Sequence, residues 1–233
     1  MTRLVLTSEH HSKDIPSRWR GAFAGGGEIL RSHRGWDIGV PSVFRALKPL
    51  ADATFQGRYS RLLIDLNRSE THPHCFSEFS KRLPKEERNE LVVAIHRPFR
   101  NEVEGVIRSM TATGDRVLHL SVHTFTPILH GQKRNADIGL LYDPGRANEK
   151  EMAQKWHLSL TGKFKVRRNY PYRGTADGHV TALRRKFPND SYMGIELEIN
   201  QLVAEKGAIG HLLQETLKDL IYSSNSRKTD KTD

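Results

Sequence analysis

Apolar residues along the chain form short runs and helical repeats that alternate with one another. Leu4-Val5-Leu6 is too short for a helix and predicts a buried strand, closed by the polar stretch 7–12. From Asp37 to Leu50, the residues Ile38, Val40, Val43, Phe44 and Leu47 recur at helical spacing, with Gly39 and Pro41 near the start, where a helix tolerates them. Arg61–Leu66 predicts a strand. Lys85–Met110 predicts two helical blocks that part near Pro98, because proline breaks or kinks a continuous helix. Val117–Val122 and Asp137–Tyr142 predict further strands, and Asn148–Thr161 a helix. Lys163–Arg168 alternates like a strand and Thr181–Phe187 reads as a short helix. Tyr192–Ile199 predicts the last strand and Gly207–Tyr222 an amphipathic closing helix. Gly21–Gly27, with three successive glycines, predicts a flexible loop. Residues 223–233 contain no apolar side chain and are expected to be a disordered tail, leaving one domain over 1–222. Strands alternating with helices predict an α/β layered domain with a mostly parallel sheet.

Composition narrows the partners. Hydrophobic residues make up 36% and charged residues 27% of the 233, and no apolar run approaches the ~20 residues needed to cross a bilayer. The amino-terminal apolar stretch is too short for an export signal, and the single cysteine, Cys75, excludes an intrachain disulfide framework; a cytoplasmic setting is expected. Lys and Arg outnumber Asp and Glu by 37 to 27, a net charge of +10, which favours an anionic partner without choosing one. The basic residues lack interleaved aromatics and a helix-turn-helix pattern, so nucleic acid is not expected. Twelve histidines point weakly to an enzyme.

In parallel sheets, ligands sit outside the carboxyl ends of the strands. The predicted strands end in Glu9-His10-His11, in Asp65-Leu66-Asn67-Arg68 and in Ser121-Val122-His123-Thr124, and Glu196 and Glu198 share a face of the last one. His10 and His123 suit a single zinc ion, which takes three protein ligands and keeps an open position in catalytic sites. A carboxylate completes the set, with Glu9, Asp14 and Asp37 as candidates. Arg68 suits a two-pronged grip on a carboxylate, or pairs with Asp65. Cys75 reads as a small buried hydrophobe.

The ordered series of motifs resembles the N-formylglutamate amidohydrolase family. It comprises Ser8-Glu9-His10 with Ile15-Pro16, His33 with Trp36-Asp37-Ile38-Gly39, and Asp65-Leu66-Asn67-Arg68. It continues with Ser121-Val122-His123-Thr124-Phe125, Ala136-Asp137-Ile138-Gly139, Asn169-Tyr170-Pro171-Tyr172 and Glu198-Ile199-Asn200. The resemblance spans about residues 4 to 205. It implies a three-layer α/β/α sandwich with a mostly parallel mixed sheet, similar to zinc-dependent exopeptidases and N-acetylmuramoyl-L-alanine amidases. It further implies His10, Asp37 and His123 as zinc ligands, with Glu9 as the alternative carboxylate, and Glu198 as general base. Asn67 and Arg68 resemble a pair that holds a substrate carboxylate, with Arg134 and Tyr172 as further substrate-binding residues. The implied substrate is a small anionic N-acyl amino acid. Two departures stand out. The family commonly has Pro-Tyr-His where this chain has Pro98-Phe99-Arg100, and His11 follows His10 as a competing ligand. The alternatives are a zinc peptidase or cell-wall amidase of the same fold, and a non-catalytic basic protein that binds anionic partners.

Overall fold

The alternation in β-strand sequences decides which way each face of the sheet turns. In the computed structural model, which describes residues 1–207 and 209–226, β1 spans Thr2–Ser8 and β2 spans Ala53–Gln56. The long strand β3 covers Arg116–Phe125; Ile128–Leu129 and Gln132–Lys133 are the short strands β4 and β5 of a hairpin. β6 is Ile138–Leu141, β7 Val166–Arg168 and β8 Tyr192–Asn200. The main sheet runs β2-β1-β3-β8-β6-β7, with the first four strands parallel and β6 antiparallel to β8. The sheet is thus mixed and mostly parallel, as the sequence predicts.

The helices are α1 (Gly27–Arg31), α2 (Val40–Leu47), α3 (Lys85–Leu91), α4 (Arg97–Ala112), α5 (Ala147–Leu160), α6 (His179–Arg184), α7 (Gln201–Glu205) and α8 (Ile209–Ser226). One sheet face is apolar along its length: Leu118, Leu120 and Val122 of β3, with Ile195, Leu197 and Ile199 of β8, pack with Phe44, Trp156 and Leu213 from α2, α5 and α8. The opposite face lies against α4 and α6, where Val5, Val103, Ile107 and Tyr192 form a smaller cluster. This face is the polar one, because the intervening residues of β3 are His119, Ser121 and His123 and those of β8 include Glu196 and Glu198. Helices on both faces give three layers.

The structure differs from the sequence expectations at several places. Arg61–Leu66 is buried yet forms turns instead of a strand: Arg61 N bonds Gly35 O, Leu63 N bonds Ser60 O and Asp65 N bonds Cys75 O, so loop carbonyls supply what a strand neighbour would. Its apolar side chains fill a separate cluster with Trp19, Phe23, Phe79 and Leu91. The edge strand β2 is short and weakly patterned, and the sequence does not predict it. The glycine-rich stretch 21–27 is partly helical, since a 3₁₀ turn covers Ser17–Phe23 and α1 begins at Gly27. The break expected near Pro98 is a π-helical turn at Val92–His96, and Pro98 sits in the first turn of α4, where its missing N–H costs little. Helix α8 continues through Ser226, so the first residues of the expected tail are helical and the remainder lies outside the described residues. Among the described residues no helix is long and apolar enough to cross a membrane.

A buried ion pair fastens α5 and α6 to β8. Glu149 accepts Arg184 Nε at 3.0 Å on each oxygen, Gly194 N at 3.0 Å and Asp143 N at 3.0 Å, and Arg184 donates to Gly194 O at 2.8 Å. Glu149→Ala strands the Arg184 charge and is expected to cost about 3–5 kcal/mol, read by urea unfolding. A loss below about 1 kcal/mol would show that water reaches the guanidinium. Cys75 is fully buried, and burial pushes its thiol up to about 12. The native protein is expected to resist alkylation at pH 8 and to react once unfolded in denaturant; mass spectrometry of the alkylated chain checks this.

Candidate metal centre and cleft

The turn after β1 carries His10, the turn before α2 carries Asp37, and the two are tied by Asp37 N donating to His10 O at 3.0 Å. Gly39, at φ +90°, turns the chain from Asp37 into α2, and a Cβ there would meet Ala204 Cβ at 2.8 Å. β3 brings in His123. Asp37 Oδ2 lies 2.9 Å from His123 Nδ1 and 3.5 Å from His10 Nδ1, and it accepts Thr124 N at 3.2 Å. The two imidazoles stand edge to face with centroids 4.9 Å apart. All three residues are buried, and one ligand atom from each lies within 4.8 Å of the others.

The outward nitrogens are held by a second set of groups. His10 Nε2 donates to Asp65 Oδ1 at 2.7 Å, and Asp65 also receives Arg61 Nη2 at 3.1 Å and Asn67 N at 2.9 Å. His123 Nε2 donates to Ser121 Oγ at 2.9 Å, which donates to Glu9 Oε2 at 2.7 Å. Glu9 Oε1 accepts Thr7 Oγ1 at 2.9 Å and His179 Nδ1 at 3.1 Å. Behind Thr7, His119 Nε2 lies 2.9 Å away and its Nδ1 accepts Tyr192 OH at 2.8 Å. These bonds turn Nδ1 of both rings toward Asp37, and without a metal His123 Nδ1 donates to it.

The residues fit a divalent cation. His10 Nδ1 is buried with no hydrogen-bond partner, and the donor set is two imidazole nitrogens and one carboxylate oxygen, each backed by a further hydrogen bond. Burial works against charge on Asp37, yet the two imidazoles hold its carboxyl well below the ordinary range. Burial likewise opposes Glu9, and its bonds from His123 and His179 hold it well below that range.

Glu9, the alternative ligand of the sequence reading, lies behind His123, with its oxygens turned to Thr7, Ser121 and His179. His11 turns away from the centre and packs edge-on against Phe44 at 5.4 Å, and Asp14 is exposed. Neither completes the set.

The centre opens into a cavity of about 160 Å³ whose walls include Asn67, Arg68, Tyr172, Arg173, Glu196 and Glu198. β8 registers Glu198 opposite His123 and Glu196 opposite Ser121. One oxygen of Glu198 is buried without a partner, and burial pushes the carboxyl up to about 7, partly offset by His123. Gly139 of β6 pairs with Glu198; a Cβ there would meet Tyr170 O at 1.9 Å, so glycine lets the Tyr170 segment close over the strand. Asn67 Oδ1 accepts His179 N at 2.7 Å and Arg68 Nη1 donates to Asp177 O at 2.6 Å. Arg68 has no carboxylate ion-pair partner among the described residues, so Asp65 is taken by His10 and Arg61 instead. Arg134 is outside the cavity wall and acts on it through Tyr172, donating to its OH at 3.0 Å. The sequence names Arg173 only as one of several arginines that could hold a carboxylate or an oxyanion, and it does not point to Arg61, Asp177 or His179. None lies at the carboxyl end of a predicted strand, and the sequence does not show the backing role of Asp65 because a carboxylate beside an arginine suggests an ion pair.

Comparison with known proteins places this frame. The chain overlays a gene product of Agrobacterium tumefaciens with a TM-score of 0.81 at 29% identity, covering 95% of this chain and 91% of the other. It overlays N-formylglutamate amidohydrolase from Ralstonia eutropha with a TM-score of 0.68 at 19% identity, covering 96% and 94%. At that identity the second likeness concerns the fold. No curated protein matches the chain. The class the chain falls in is that of the amidohydrolases. It belongs to the N-formylglutamate amidohydrolase family, whose model matches residues 2–203.

In the metal-free protein, the Glu198 carboxyl is expected to titrate near 7 by ¹³C NMR, and Glu196→Gln, which removes a like charge, to lower that midpoint. Between the ordinary glutamate range and about 7, the folded state keeps a proton that the unfolded chain has lost. The stability tied to this group is therefore complete below that range and lost as pH rises through about 7. A midpoint in the ordinary range would place Glu198 in contact with water.

Proposed function

We propose that this amidohydrolase is zinc-dependent and cleaves the amide of a small N-acyl amino acid that keeps a free carboxylate. The observation that carries the reading is the convergence of three inward ligand atoms and an unpartnered Glu198 oxygen on one small cavity. His10, Asp37 and His123 would hold the ion, the two histidines through the nitrogens that face Asp37. A bound divalent ion supplies Lewis acidity toward a carbonyl and toward water.

The protein's own groups do the rest. Glu198, with a value near neutrality, takes the proton of the attacking water and returns it to the leaving nitrogen, general base followed by general acid. Arg68 and Arg173 on the cavity wall face a substrate carboxylate, and Arg68 can use the nitrogens not spent on Asp177 O. Asn67, fixed by His179 N, sets the Arg68 segment. Tyr172, held by Arg134, closes the mouth. At about 160 Å³ the cavity lies below the ~300–1,000 Å³ typical of drug-sized ligands, which supports a small substrate over a peptide or a cell-wall fragment.

Assay of the zinc-loaded protein against N-formyl and N-acetyl amino acids, acidic and neutral, tests the reading; release of free amino acid is expected. Glu198→Gln should keep stoichiometric zinc and lose at least ~10²-fold in kcat, whereas His123→Ala should lose the metal. Full activity of a zinc-free His123→Ala protein would overturn the metal assignment. Arg68→Lys should raise KM for free-acid substrates by roughly tenfold or more, with little change for their amides. Equal losses on both would assign Arg68 to the scaffold.

A further inference from the structure

Arg100, the last residue of the departure at Pro98-Phe99-Arg100, lines a second cavity. It has a volume of about 230 Å³ and shares no lining residue with the cleft: Arg68 and Asp177 line one, the adjoining Ser69 and His179 the other. α4 and the π-helical turn before it form one wall, α6 the other.

Most of its charge is already neutralised. Arg97 binds Glu70 through two hydrogen bonds of 2.8 Å, and Lys186 pairs with Glu104. Arg100 is different. Its Nη1 donates to the carbonyl oxygens of Arg68 at 2.8 Å and Leu66 at 3.3 Å, and among the described residues no carboxylate forms an ion pair with it. A half-buried guanidinium bonded only to carbonyls keeps a positive charge for an anion.

Two imidazoles supply the complementary chemistry. His96 and His179 each have 1% of their surface exposed. His96 Nε2 donates to Arg68 O at 2.8 Å and His179 Nδ1 to Glu9 Oε1 at 3.1 Å. The other nitrogen of each ring, Nδ1 of His96 and Nε2 of His179, has no hydrogen-bond partner. Burial holds both rings below the ordinary histidine value, so each is neutral and its second nitrogen is an acceptor. The cavity therefore presents one cation and two acceptors.

We propose that this cavity is a second ligand site that takes a free α-amino acid, its carboxylate on Arg100 and its ammonium on the unpartnered nitrogens of His96 and His179. An N-acyl amino acid lacks the ammonium and is excluded. That such a ligand is also a product of the reaction rests on the proposed function; that it binds does not. The occupant touches His179, which is hydrogen-bonded to the Glu9 carboxylate behind His123, so the site adjoins the metal centre through one side chain.

Isothermal titration of the full-length protein with L-glutamate tests this without any turnover. Saturable binding is expected, weakened roughly tenfold or more in Arg100→Met and in Ala182→Leu, which fills the cavity from α6, and changed less than about twofold in Arg68→Met. Glutarate, which keeps the carboxylates and lacks the ammonium, is expected to bind at least roughly tenfold more weakly than glutamate. Absence of binding overturns the proposal, as does binding that Ala182→Leu leaves intact and Arg68→Met abolishes. Equal affinity for glutarate would reduce the cavity to a plain anion site and reject the amino-acid assignment. Should Arg100→Met fail to fold, Ala182→Leu decides. A protein that binds glutamate here yet hydrolyses no N-acyl amino acid would refute the proposed function and leave this site standing.

Discussion

The pairing of β3 with β8 is the constraint on which the site depends. In this parallel register His123 lies opposite Glu198 and Ser121 opposite Glu196, so candidate ligand, its hydrogen-bond partner and candidate base share one face of two adjacent central strands. A slip of one residue would send His123 toward the apolar layer under α2 and α8 and bring Val122 to the centre. The opposite face prevents that slip, because Leu118, Leu120, Val122, Ile195 and Leu197 are all fully buried there. Hydrophobic packing on one side of the sheet thus fixes polar geometry on the other.

The polar face carries an unusual load of buried charge: Glu9, Asp37, Asp65, Glu196 and Glu198 are each less than 9% exposed. An unpaired buried carboxylate is expensive, and each of the first three is matched by several donors. Asp65 takes bonds from His10, Arg61 and Asn67, and Glu9 from Thr7, Ser121 and His179. The Nε2 end of each imidazole at the centre is specified in this way. Burial raises both Glu196 and Glu198, which line the cavity where a reacting molecule would sit, and of the five only Glu198 has an oxygen buried without a partner. Stability is given up where chemistry is needed.

Much of this was legible in the sequence because strand alternation is a local signal. The order His119-Leu120-Ser121-Val122-His123 already separates a polar face from an apolar one, and Glu196-Leu197-Glu198 repeats the pattern. His10 and His123 are legible because each sits at a predicted strand end, whereas the choice of Asp37 among the three carboxylates, and of Glu198 over Glu196, comes from the family resemblance. The RLLIDL stretch misleads, since burial in a loop cluster and burial in a sheet leave the same composition; what distinguishes them is that carbonyls of Gly35 and Cys75 and a local turn onto Ser60 satisfy its backbone. The placement of Glu9 behind His123, and the approach of His179 from α6, depend on contacts between segments 112 and 170 residues apart, which no local pattern encodes. The cavity around Arg100 is of the same kind, because its walls come from α4, residues 97–112, and α6, residues 179–184, which are not neighbours in sequence.

The most direct test of this account is the anomalous scattering of a zinc-loaded crystal collected at the zinc edge. The account predicts one peak per chain, coordinated by His10 Nδ1, His123 Nδ1 and an oxygen of Asp37, with the Glu198 carboxylate beside the ion and outside its protein ligand set. A peak coordinated by Glu9 or Glu198 in place of Asp37, or no ordered zinc at that centre, would contradict it.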